Sequence, residues 1–162
     1  MAKSKELFKL VITAIVVKNG RFLIAKRSDK EEKFLGRWTV PGGKLHVSDY
    51  NQVEKDTPHY WYNVLERTLK REVWEEARVR INNVRYVTSL ADAPEGKDPS
   101  VVLSMMGEWT SGTPKVSDEL VEFAWVALKE VKKYDLIEGI YEELEQAEKL
   151  MLGERTIWKR KK

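Results

Sequence analysis

The sequence predicts an α/β fold, helices laid on a mixed sheet, and three observations carry that expectation. Runs rich in β-branched residues open the chain and return from Val84 onward. Two stripes of apolar residues at helical spacing interrupt and then follow them, and turn-forming dipeptides stand between. With 162 residues, 42% of them hydrophobic and 34% charged, the chain suits one domain, 1–162, with room for a real core.

The elements follow in order. Leu10 to Val17 is continuous and β-branched, and Arg21 to Ala25 follows the dipeptide Asn19-Gly20, which suits a type I′ turn, so the two segments predict a hairpin. Arg37 to Val40 reads as a short strand ended by Pro41-Gly42-Gly43, where glycines permit backbone angles and close approaches that a Cβ forbids. A first helix ends near Arg78, its stripe of Leu69, Val73 and Ala77 at spacing four turned to the sheet. Strands are expected at Val84 to Leu90, Val101 to Trp109 and Val121 to Val126. A second helix, about 135–152, begins after Asp135 as N-cap and aligns Leu136, Ile137, Ile140, Tyr141, Leu144, Ala147 and Met151 on one face. No internal repeat or low-complexity segment is present.

Composition removes several classes of function. Cysteine is absent, which excludes disulfides, thiolate metal sites and thiol nucleophiles together. Lys plus Arg exceed Asp plus Glu by 29 to 26, a formal charge of +3 that does not argue for a stable nucleic-acid partner. The one basic run, Lys159 to Lys162, reads as a solvated end. The longest apolar run, Leu10 to Val17, is interrupted by Thr13 and too short to span a bilayer, and nothing at the start resembles a signal peptide. A cytoplasmic protein with no membrane partner is the expectation.

The chemistry is concentrated in Arg71-Glu72-Val73-Trp74-Glu75-Glu76. At about 100° per residue, Glu72, Glu75 and Glu76 fall within a sector of roughly 100° beside the apolar stripe. Carboxylates so close raise one another's pKa, and a hard cation between them relieves the repulsion. Arg71, four residues before Glu75, is spaced to hold that carboxylate in one orientation. A solvated charged face is the competing reading, and the glycine turn upstream weighs against it. Neither His46 nor His59 sits where it suggests catalysis.

Taken with Pro41-Gly42-Gly43, these residues make the chain resemble a Nudix hydrolase. The family pattern is Gly, five residues, Glu, seven residues, Arg-Glu, an aliphatic residue, any residue, Glu-Glu, any residue, Gly and an aliphatic residue. Gly43 opens it, Asp49 stands at the first Glu, and Arg71, Glu72, Val73, Glu75, Glu76 and Val79 fill the later positions. The opening hairpin, Lys26-Arg27, Gly36-Arg37-Trp38 and Glu119-x-x-Glu122-x-x-Trp125-Val126 are also similar, so the resemblance spans residues 8 to about 128. Three departures stand out. Asp49 is shorter than Glu, and an alternative alignment puts Asn63 there. An insertion of about fourteen residues, Tyr50 to Asn63, precedes the helix and reads as a lid, a base-stacking element, a flap on the body or a dimer contact. Arg78 occupies the terminal glycine position, where a left-handed cap would cost a side chain about 1 kcal/mol.

The resemblance implies a Nudix-type α/β/α sandwich and a metal-dependent pyrophosphohydrolase. Mg²⁺ or Mn²⁺ would be held by Glu72, Glu75, Glu76 and the Gly42 carbonyl, with Glu119 as a further ligand and either Glu72 or Glu119 as general base. Arg27 is a phosphate contact or a surface charge. Trp38 and Phe34 flank a base or belong to the core. The expected substrate is a nucleoside diphosphate derivative, a nucleoside triphosphate or modified nucleotide ahead of ADP-ribose or a nucleotide sugar. Pro94, fifteen residues after Val79, is the one hint toward ADP-ribose. A Nudix-like nucleotide- or RNA-binding module without catalysis is the reading from another class. Homodimers are common in the family, and the resemblance admits one here.

Overall fold

The computed structural model describes residues 7–155 and 157–159, so positions 160–162 of the basic tail lie outside it. Strands β1 (Lys9–Lys18), β2 (Arg21–Arg27), β3 (Trp38–Thr39), β4 (Gly42–Lys44), β5 (Val79–Asp92), β6 (Ser100–Gly112) and β7 (Leu120–Val126) form one sheet, with α1 (Val64–Ala77) and α2 (Ile140–Met151) packed against it. The strand order is β3-β2-β1-β6-β5, with β4 added to β1 and β7 to β2. The sheet is mixed because β1 and β6 run parallel while the other pairs are antiparallel. This is the α/β architecture that the sequence predicts.

The β1–β2 hairpin turns on Asn19 and Gly20 at φ 50° and 71°, the two positive values that a type I′ turn demands. Alternation along β1 then serves two cores. Ile12, Ala14 and Val16 pack with Leu69, Val73 and Ala77 of α1, while Ile15 and Val17 pack on the other face with Ile140, Leu144 and Ala147 of α2. Both helical stripes face the sheet, as their spacing requires.

Three boundaries depart from the sequence reading. Strand β5 starts at Val79, immediately after α1, because Val79 and Ile81 are buried in the α1-side core. Helix α2 starts at Ile140 behind Gly139, at φ 91°, and Asp135 is not its N-cap. The Asp135 carbonyl accepts the Trp38 N–H at 2.9 Å instead, and Leu136 bridges Trp38, so the first residues of the expected helix extend the sheet edge. Pro41-Gly42-Gly43 is less a turn than the start of β4, with Gly42 opposite Thr13 and Gly43 opposite Ile12. Among the described residues no helix is long and apolar enough to cross a membrane.

Candidate active site

Strand β4 lies under α1, and the contact explains its glycines. A Cβ on Gly43 would stand 2.3 Å from the Glu72 carboxylate, and one on Gly42 would stand 2.5 Å from the Ile12 carbonyl oxygen. Neither glycine has a positive φ, so close approach rather than turn geometry selects them. The Gly42 N–H donates to Glu76 Oε2 at 2.8 Å. Sequence reasoning pointed to the Gly42 carbonyl; the contact observed is made by its amide.

Arg71 organises the other carboxylates. Its guanidinium donates to Asp49 Oδ1 at 2.7 Å, Glu72 Oε1 at 2.8 Å and Glu75 Oε2 at 2.7 Å. The expected Arg71–Glu75 pair is present, and two partners join it. Asp49 also accepts the His46 N–H at 2.7 Å, which fixes it from the opposite side, and its side chain is 8% exposed. Asn63 instead occupies the left-handed N-cap position of α1 at φ 53°, so Asp49 is the residue that meets the arginine where the pattern has its first Glu.

The electrostatics single out Glu76. Burial pushes its carboxyl up to about 7, Glu72 and Glu119 push the same way, and the Gly42 N–H and Arg27 pull against them. Glu72 is also raised, first by burial, with Arg71 opposing. Glu119 reaches this neighbourhood from the loop before β7, its carbonyl accepting the Ser28 N–H at 2.9 Å beside Arg27. The fold therefore gathers Gly42, Asp49, Arg71, Glu72, Glu75, Glu76, Glu119 and Arg27 from β4, the 3₁₀ turn after it, α1, the loop before β7 and the end of β2.

Trp38 is not gathered with them. It is 7% exposed, lies in the α2-side core on the opposite face of the sheet and meets Tyr134 edge-on at 4.8 Å, which is the core role rather than the base-flanking one. Phe34 is 46% exposed in the loop after β2. Arg27 is bonded to Glu31 at 2.9 Å and to the Lys33 carbonyl at 3.1 Å, so it is a fixed charge and not a free surface one. The insertion closes on itself: Trp61 Nε1 donates to the Val53 carbonyl at 2.9 Å and its ring meets Tyr50 at 5.3 Å. Asp56 then accepts the Tyr62 N–H at 2.9 Å and pairs with Arg67 of α1 at 3.7 Å.

The donor set is all oxygen, which suits Mg²⁺ or Mn²⁺ rather than a softer ion. A cation beside Glu76 would offset the burial and the repulsion that raise it. Glu72 and Glu75 are turned to Arg71, and among the described residues no three acidic or imidazole side chains are gathered closely enough to enclose an ion. Glu72 and Glu119 are the carboxylates whose charge acts on Glu76, so these three fit such a group best, and Arg71 would have to share its hold on Glu72.

The sequence matches a known family, and the fold matches known proteins. The NUDIX domain model matches residues 8–146. A MutT NUDIX hydrolase from Burkholderia pseudomallei is 25% identical, with a TM-score of 0.63 over 87% of this chain and 98% of that one. The NUDIX domain of Shewanella oneidensis NrtR, solved with ADP ribose, is 18% identical, with a TM-score of 0.67 over 91% of this chain and 90% of that one. An ADP-ribose pyrophosphatase from Streptococcus suis is 19% identical, with a TM-score of 0.65 over 92% of this chain and 96% of that one. No curated protein matches the sequence.

Proposed function

The chain belongs to the Nudix hydrolase family, and from that premise we propose that it cleaves a phosphoanhydride bond in a nucleoside triphosphate or modified nucleotide with the help of Mg²⁺ or Mn²⁺. The observation that carries this reading is the Glu76 carboxyl, raised to about 7 by burial and, beyond that, by Glu72 and Glu119, with the Gly42 amide and Arg27 acting against the shift. Charged groups converging on one such carboxyl from separate elements mark a site that gains from a bound cation.

Glu72, Glu76, Glu119 and the Gly42 carbonyl are the groups that would hold the ions, with Glu75 joining them where Arg71 releases it. When bound, the metal neutralises the pyrophosphate and lowers the pKa of a coordinated water. The chain's own groups do the rest. Arg71 is a positioning residue that keeps Asp49, Glu72 and Glu75 in one register. Arg27, held by Glu31, offers its charge to a phosphate oxygen from the strand end. Glu119, exposed and in no ion pair among the described residues, takes the proton of the attacking water; Glu72, committed to Arg71, is the other candidate. Phe34, exposed in the loop after β2, is the aromatic left to face a base.

ADP-ribose or a nucleotide sugar is the second reading, favoured by the likeness to the Shewanella and Streptococcus proteins. A binding module without turnover is the reading from another class, favoured by the three carboxylates that Arg71 occupies. One panel separates the three: nucleoside triphosphates, oxidised nucleotides, ADP-ribose, sugar nucleotides and dinucleoside polyphosphates are incubated with Mg²⁺, Mn²⁺ or EDTA, and the pyrophosphate or phosphomonoester that cleavage frees is read as phosphate through a coupled pyrophosphatase or phosphatase. Turnover with metal and none with EDTA is expected. Silence on every compound by a folded protein would leave the binding module.

A further inference from the structure

Next to the carboxylates lies a cavity of about 400 Å³ whose lining is basic. Lys9 of β1, Arg27 of β2, Lys33 of the loop after it, Lys44 of β4 and Lys97 of the β5–β6 loop bring five cations to it. Lys9, Lys33, Lys44 and Lys97 are in no ion pair among the described residues. Four acids also reach the lining: Glu31 is paired with Arg27 at 2.9 Å, Asp92 accepts the Ser100 N–H at 3.1 Å and the Ser100 hydroxyl in the field of Lys33 and Lys9, and Glu32 and Asp98 complete them. Lysines on a surface are ordinary; here four of them meet three acids once Arg27 and Glu31 are paired, and the excess around one concavity leaves a positive charge to be met.

Two further features narrow what meets it. Among the described residues no aromatic side chain lines the cavity, so a nucleobase entering it would find no ring to stack on. The cavity also adjoins the site: Arg27, in its lining, acts on Glu76, and Lys44, in its lining, follows the glycine that abuts Glu72. Resting on the hydrolase reading above, we propose that this cavity takes the phosphate-bearing end of the substrate, so the group beyond the scissile anhydride continues as a phosphate chain and does not end in a neutral sugar or a base. Lysine ammoniums suit such a group because they are point charges that follow a flexible polyanion without fixed geometry. Among the substrates of the panel, nucleoside triphosphates are thereby favoured over ADP-ribose.

The test begins with binding, which needs no turnover. Inorganic tripolyphosphate is titrated calorimetrically into the full chain in EDTA, alone and against adenosine, for the wild type and for a Lys33→Ala/Lys97→Ala double variant whose thermal midpoint is checked first. The double substitution is expected to weaken tripolyphosphate about tenfold or more, and adenosine is expected not to displace it. An unchanged Kd in the variant, displacement by adenosine or no binding at all would overturn the assignment. The second readout is the ratio of kcat/KM for ATP to that for ADP-ribose, which should fall in the double variant; an equal loss on both substrates counts against the cavity. Tripolyphosphate binding that depends on the two lysines, with no metal-dependent hydrolysis, would sustain the cavity and sink the hydrolase reading instead.

Discussion

The two helices lie on opposite faces of one sheet, and each draws a glutamate out of water, Glu76 half-buried and Glu143 buried. Glu76 of α1 and Glu143 of α2 are both raised above the ordinary carboxylate value by the same first cause, burial. Their surroundings differ. Around Glu76 stand Glu72 of its own helix, the Gly42 amide of β4, Arg27 of β2 and Glu119 of the loop before β7. Glu143, 5% exposed, has the Ser104 hydroxyl pulling it back and Glu142 pushing it further, with no cation among the described residues acting on it. A raised pKa on its own therefore reports desolvation. Charged groups converging from separate elements are what distinguish a working carboxylate from one accommodated in a core.

The sharpest way to break the comparison is to neutralise each glutamate in place. Glu76→Gln is expected to lower kcat/KM on the order of 10²-fold or more, the scale of removing one preorganised electrostatic contact. Glu143→Gln should leave turnover within about twofold, since it lies outside the site and keeps nearly the same shape. Steady-state kinetics on the best panel substrate decide. Equal losses would mean that the two faces are not functionally distinct, and an active Glu76→Gln would remove α1 from the chemistry.

Stability against pH sharpens the same contrast. Glu76 has a folded pKa of about 7 against an ordinary 4.5, so its contribution to stability is complete below 4.5 and is lost as pH rises through 7. In EDTA the thermal midpoint of Glu76→Gln should accordingly exceed that of the wild type above pH 7, and the gap should close toward pH 4.5. Added Mg²⁺ should narrow the gap at high pH by acting on the wild type. Glu143 has the same sign of shift, but its curve should not respond to Mg²⁺. Parallel, metal-indifferent curves for both variants would contradict the assignment.

The helices also differ in how much of them the sequence discloses. In α1 the apolar stripe, the carboxylate sector and the Arg71–Glu75 pair follow from spacing alone, because they are local and a helix repeats. The α2 stripe is legible from Ile140 to Met151, but its start is not, because Asp135 and Leu136 are drawn into contacts with Trp38 more than ninety residues away. Nor does periodicity disclose Glu143, a charged residue on the buried side. In the site, the Asp49–Arg71 bond and the Gly42 amide are long-range contacts, and the family pattern alone pointed to their neighbourhood. The cavity lysines carry no local signal, since they sit singly on separate strands and loops.

The lead-ins to the helices offer a milder test. Val131, in the turn of 3₁₀ helix before α2, is fully buried in the core, whereas the insertion before α1 leaves Tyr60 and Tyr62 exposed while Trp61 holds the loop together. Replacing Tyr50 to Trp61 by a short flexible linker should change KM or substrate preference severalfold and leave the metal requirement as it was. Kinetics that are identical on every accepted substrate would make the loop a packing element only.

The smallest expected effect concerns the helix ends. Each helix has a left-handed residue at a boundary, Gly139 before α2 at φ 91° and Arg78 after α1 at φ 58°. Glycine adopts that region freely and a side chain does not. Arg78 caps α1 nonetheless, its N–H donating to the Trp74 carbonyl, while its guanidinium lies 5.7 Å from the Trp74 ring and Arg80 lies closer, at 4.2 Å. Stacking of this kind contributes on the order of 0.5–1 kcal/mol at an exposed position and offsets part of the strain. Arg78→Ala keeps the strain and loses the stacking, whereas Arg78→Gly loses both. The glycine variant should therefore melt above the alanine variant by about 3 °C, the equivalent of about 1 kcal/mol in a chain of this size. Coincident melting curves would show that the left-handed cap is not under strain, and the contrast between the helices would then end at their glutamates.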